Sequence, residues 1–97
     1  MMYAVIFTAE LNKLDNNYYK TAKIMRDLAI QQYGCVKFTS VSEGNSEISI
    51  SYWRSKAKIK EWKKNKEHLK AQKMGKEKWY KNYTVEIVEI LHEYGCG

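Results

Sequence analysis

From Met2 to Glu10 the side chains fall into two sets with a period of two. Tyr3, Val5, Phe7 and Ala9 share one face, and Ala4, Ile6, Thr8 and Glu10 share the other. That period is the signature of a β-strand. After a connector, Leu11 to Leu14, the period lengthens. Tyr18, Thr21, Ala22, Met25, Leu28, Ala29 and Gln32 recur at helical spacing, which predicts a helix from about Asn16 to Gln32. Asp15 is placed to cap it, and Gly34 suits the left-handed residue after its end. Cys35 to Glu43 reads as a second strand, Gly44-Asn45-Ser46 as a polar turn and Glu47 to Arg54 as a third strand, paired with the second as a hairpin. In the third strand Ile48, Ile50 and Tyr52 alternate with Ser49, Ser51 and Trp53.

Ser55 then caps a second helix, about Lys56 to Asn65, with Ala57, Ile59 and Trp62 facing inward. A further helical segment spans about Glu67 to Met74, with Leu69 as its apolar anchor and Gly75 as its stop. An aromatic knot, Trp79 to Tyr83, precedes a last strand from Thr84 to Glu93. In that strand Val85, Ile87 and Leu91 face one way and Val88 and Ile90 the other. The order β-α-β-β-α-β predicts an α+β, ferredoxin-like fold: an antiparallel sheet with two helical layers on one face. Strands one and four are apolar on both faces, yet helices cover only one. A second copy of the chain, sheet against sheet, is the simplest cover, so a two-fold homodimer is expected.

Composition narrows this picture. The 97 residues suggest one domain, 1–97. A chain of that length buries roughly 65% of its unfolded surface, a thin margin that a dimer interface would widen. No apolar run approaches the ~20 residues of a membrane span, and the start lacks the pattern of a secretory leader, so a cytoplasmic protein without membrane contact is expected. Cys35 and Cys96 lack metal or redox spacing and are expected as free thiols. The carboxylates are scattered, with no pair suggesting a metal site. The net charge is +6, and ten lysines fall between Lys56 and Lys78. A basic stripe is a feature of nucleic-acid binders. Here no arginine cluster or glycine-rich phosphate loop accompanies it, and a solvated helix face explains it better.

All three tryptophans, Trp53, Trp62 and Trp79, lie in the stretch from Ile48 to Tyr83. Large aromatics interleaved with a few polar groups suit a flat apolar ligand. At Tyr52-Trp53-Arg54-Ser55-Lys56, Ile59, Glu61-Trp62, Glu67-His68 and Ala71-Gln72-Lys73 the chain resembles the antibiotic biosynthesis monooxygenase family. A bacterial subgroup carries a run similar to Glu67–Glu77, followed by a tyrosine-led last strand and a terminal Tyr-Gly, here Tyr83 and Tyr94-Gly95. The resemblance implies a dimeric α+β barrel. It also implies, in the cofactor-free members, oxidation of anthrone-type phenols without metal or flavin, the substrate supplying the electrons.

Position by position, Trp62 matches the pocket-lining tryptophan of the family's second helix. His68, six residues later, falls where cofactor-free members place a tyrosine or histidine. The asparagine that anthrone oxidisers carry four residues before the tryptophan is Lys58 here, which counts against anthrone itself. The axial histidine of haem-degrading members is replaced by Gln72, and Tyr3 to Glu10 contains no asparagine, so haem degradation is disfavoured.

The candidate catalytic residues are therefore His68, as proton acceptor, and Trp62, as a shaping wall. His68 is equally readable as a hydrogen-bonded structural histidine, and Trp62 as core. Trp53, Lys58, Gln72, Trp79, Tyr80 and Tyr83 are candidate substrate-binding residues. For Trp53 a pocket mouth and the interior of a dimer barrel both stay open. Trp79, Tyr80 and Tyr83 could instead tie the last helix to the last strand, and Lys58 and Gln72 could face solvent. His92 is placed at a surface or interface. The functional expectation is a cofactor-independent monooxygenase acting on a flat aromatic, phenolic or quinone-like molecule, with no cofactor or metal. The alternative is a non-catalytic small-molecule-binding or stress-response dimer on the same fold, and a basic nucleic-acid binder comes last.

Overall fold

The computed structural model describes residues 1–97. Its elements are β1 (Met2–Leu11), α1 (Asn16–Gln31), β2 (Lys37–Glu43), β3 (Ser46–Trp53), α2 (Lys56–Lys64), α3 (Lys66–Met74), a π-helical turn (Gly75–Trp79) and β4 (Tyr80–Ile90). The strands form one antiparallel sheet in the order β2-β3-β1-β4, the α+β ferredoxin-like arrangement expected from the pattern. No helix is long and apolar enough to cross a membrane.

Local chemistry sets the element ends. Asp15 is extended and accepts a hydrogen bond from the Tyr18 amide at 2.9 Å, satisfying one of the first-turn donors of α1. Ser55 does the same for the Lys58 amide at 3.3 Å at the start of α2. Asn65 has an extended ψ of 140°, which breaks the helical run, and its side chain accepts from the Glu67 amide at 2.8 Å to start α3. Gly44, at φ 59°, begins the two-residue turn of the β2–β3 hairpin, a conformation that only glycine adopts cheaply.

Register decides which face meets the helices. Tyr3 pairs with Trp53, Val5 with Ser51, Phe7 with Ser49 and Ala9 with Glu47. Val5 and Trp53 pack with Met25, Ala29, Cys35, Ile59 and Trp62, so this is the helix-covered face. The isoleucines of β3 therefore point the other way. Ile6 lies opposite Ile50 and Thr8 opposite Ile48 on a face that no helix covers. That open face leaves Val41, Ile48 and Val88 exposed. Cys35 is buried in the core, Cys96 is exposed, and the two are unpaired.

Three expectations are corrected. Leu69 does not anchor α3, since it is 52% exposed. The inward face is instead His68, Ala71, Gln72 and Gly75, spaced i, i+3, i+4 and i+7, and its polar members hid it from a reading based on apolarity. Gly75 does not stop the helix. Its φ is −58°, and the chain runs on into the π turn. β4 starts at Tyr80, not Thr84, and ends at Ile90, which leaves Leu91 and His92 exposed beyond it. The aromatic knot is thus the end of the π turn and the head of a strand.

Candidate functional site

A cavity of about 490 Å³ lies between α1, α3 and the helix-covered face of the sheet. It has two chemically distinct ends. At one end α2 presents Trp62, whose Nε1 donates to the Met25 carbonyl at 3.1 Å and so fixes the indole plane. The His68 ring meets Trp62 edge-on, with centroids 4.4 Å apart, and Phe38 closes from β2 at 6.2 Å. Gln72, one turn after His68 on α3, brings its Nε2 to 3.3 Å from His68 Nδ1. Burial, and secondly the Lys63 ammonium, lower the His68 pKa to about 4. The imidazole is therefore neutral at neutral pH. Arg26 and Lys63 line the cavity as well, and neither is paired with a carboxylate.

At the other end, Tyr18 of α1 donates its hydroxyl to both carboxylate oxygens of Glu47 at 2.5 Å. Tyr80 and Tyr83 stand beside this pair, packed on Phe7 with ring centroids 5.2 and 5.6 Å away. Burial, then the Glu47 hydrogen bond, raise the Tyr18 pKa well above the usual phenol range. Burial, then the Glu47 charge, push Tyr80 up to about 12. Tyr18 and Tyr80 are thus neutral hydrogen-bonding groups.

Of the residues proposed from sequence, Trp62, His68, Gln72, Tyr80 and Tyr83 come together on this wall, and Trp53, Lys58 and Trp79 do not. Trp53 lies at neither a pocket mouth nor the uncovered face. It is fully buried behind Trp62 at 5.2 Å, its Nε1 donating to Ser51 Oγ, because Tyr3 pairing aims it at the helices. Lys58 turns outward to Glu61 at 3.2 Å. Trp79 is buried against Tyr18 at 5.3 Å, with an indole N–H that meets no acceptor. Among the ten lysines of the basic stripe, Lys63 alone reaches the cavity.

Sequence reasoning missed Phe7, Tyr18, Arg26 and Glu47. A signal existed for Glu47, which alternates onto the same face of β3 as Trp53 and is the one carboxylate there.

No family model matches the chain. It is 36% identical over 89 residues to the uncharacterized protein YqjZ of Bacillus subtilis, covering 91% of this chain and 78% of that protein. Among solved structures it is similar to SnoaB, a cofactor-independent oxygenase from Streptomyces nogalater, at a TM-score of 0.78 and 10% identity over 95% of each chain. It is also similar to a candidate antibiotic biosynthesis monooxygenase from Nitrosomonas europaea, at a TM-score of 0.77 and 14% identity, covering 97% of this chain and 94% of that one. A third likeness is Rv0793 from Mycobacterium tuberculosis, at 0.71 and 16%, over 98% of this chain and 100% of that one. At such identities the structural likeness speaks for the fold. The chain has the antibiotic biosynthesis monooxygenase fold and belongs to the family of YqjZ.

Proposed function

We propose that this chain is a cofactor-independent monooxygenase acting on a flat aromatic, phenolic or quinone-like molecule. The observation that carries this reading is the cavity wall. Aromatic rings line both ends, and the polar groups are few and placed, with neutral His68 and Gln72 at one end. The fold shared with a cofactor-independent oxygenase supports it.

The chemistry balances without a cofactor. An activated CH2 between aromatic rings loses a proton, and the resulting anion passes electrons to O2. One oxygen stays on carbon as a carbonyl, and the other leaves as water with the two hydrogens of that carbon. His68 accepts the proton. Burial makes it a weak base, but a ligand anion formed beside it favours the imidazolium and raises its pKa. Arg26 and Lys63 stabilise the anion, and Trp62 holds the ring plane while excluding water.

The proposal includes a two-fold homodimer formed through the uncovered sheet face, supported by the exposed Val41, Ile48 and Val88. The low basicity of His68 favours a second reading, a binding protein that holds the same ligands without turnover. An oxygen electrode separates the two. Protein-dependent oxygen uptake with a hydroxylated anthrone or another fused-ring phenol bearing an activated CH2 supports catalysis, whereas saturable binding without uptake supports the second reading.

A further inference from the structure

Proton transfer at His68 makes no use of the opposite end of the cavity, although that end has a definite chemistry. Glu47 projects into an aromatic enclosure, and its one protein hydrogen bond is from Tyr18, whose single proton is shared between both carboxylate oxygens. An ionised carboxylate can accept about four hydrogen bonds, so acceptor capacity remains on the cavity side. No cation neutralises it, since the ion pairs of the molecule are Lys23–Asp27 and Lys58–Glu61. The Tyr80 hydroxyl also lines this end, within hydrogen-bonding reach of Tyr18.

We propose that Glu47, oriented by Tyr18, is a specificity-determining residue that accepts a hydrogen bond from a hydroxyl at the far end of the ligand. The ligand class is then a fused-ring aromatic with hydroxyl groups at opposite ends of its ring system. This deepens the reading of the cavity as an aromatic-binding site and rests on it.

The dimensions agree. Tyr18 and Arg26 mark the two ends along α1, eight residues apart in sequence, or about 12 Å at the helical rise of 1.5 Å per residue. Two or three fused rings with terminal oxygens span such a distance. The sign of the selection follows from the charge. Glu47 rewards a donor, gains nothing from an ether and repels an anion. Glu47 is half-buried, and a ligand that covers it without offering a donor strips it of water with nothing in exchange.

The test compares two probes of equal ring size, a dihydroxynaphthalene with hydroxyls at opposite ends and its dimethyl ether. Each is titrated into the full chain by calorimetry at neutral pH. The diol should bind the wild type at least tenfold more tightly than the diether. Glu47→Gln keeps the shape and a partner for Tyr18 but removes the charge, and it should reduce that preference several-fold, with the diether unaffected or improved. Thermal melting checks that the variant is folded, and the wild-type comparison stands without it. Equal affinities in the wild type, or a preference undiminished in folded Glu47→Gln, would overturn the proposal and leave the aromatic cavity standing. No binding of either probe would overturn both.

Discussion

His68 combines two properties that usually exclude each other, burial among aromatic rings and a titratable group left without a carboxylate partner. Its position against Trp62 and the nearby Lys63 ammonium both disfavour the charged form, which brings its pKa from 6.5 to about 4. The unfolded chain therefore takes up a proton below pH 6.5 that the folded chain refuses until about pH 4. Stability is complete above that window and falls through it, by up to about 3 kcal/mol, and levels off below. Denaturant titrations of His68→Gln across pH 7 to 4 should show a flatter slope than the wild type, and parallel curves would contradict the burial argument. Activity should respond separately. His68→Ala should lower turnover by about 10²-fold or more, while circular dichroism and melting stay near those of the wild type. Both His68 and Trp62 were legible in the sequence, because a short motif on consecutive helices keeps them close. The pairing of Tyr18 with Glu47 was not, because the two come from a helix and a strand far apart in sequence and meet only when the chain folds.

The elements show the same division. Asp15, Ser55 and Gly34 marked helix ends correctly, because capping and left-handed turns depend on residues near in sequence. The π turn did not announce itself. At its start the Tyr80 ring seats directly on Gly75, where an added Cβ would lie 2.6 Å from Tyr80 Cε2. That ring is held in turn by Phe7 and Tyr83, at 5.2 and 5.7 Å, so it cannot simply swing aside. Gly75 reads from sequence as a helix stop, but its backbone is ordinary and its lack of a side chain is what matters. Gly75→Ala should then destabilise the fold by about 1–3 kcal/mol despite alanine's better helix propensity. Adding Tyr80→Leu, a smaller and flexible side chain, should recover part of that loss relative to the single Tyr80→Leu change. Stabilisation by Gly75→Ala alone would contradict the account. Leu69 and Lys58 repeat the point. On lysine-rich helices the inward face is set by what the sheet presents, not by the most apolar residue.

At the scale of the whole molecule, the sheet is apolar on both sides and covered on one. Alternation along β3 revealed two different faces, but not which one meets the helices. That depends on Tyr3 pairing with Trp53, a long-range choice. The outcome puts Ile6 and Ile50 opposite each other in the middle of the uncovered face. If two copies meet there, Ile50→Glu should convert a dimer into a monomer by light scattering at micromolar concentration, with secondary structure retained. A wild-type monomer under those conditions would sink the dimer. Substitutions on the lysine-rich outer surface of α2, such as Lys60→Glu, should leave assembly unchanged. The central claim is that the cavity between α1, α3 and the sheet turns over an aromatic phenol. The most direct measurement is oxygen uptake, with product analysis, on wild type and His68→Ala supplied with a hydroxylated anthrone or another fused-ring phenol bearing an activated CH2 in metal-free buffer. The account predicts uptake that depends on wild-type protein, matches quinone formed one to one and is lost in the variant. Ligand bound to the wild type with oxygen unconsumed, or uptake equal in the two proteins, would contradict it.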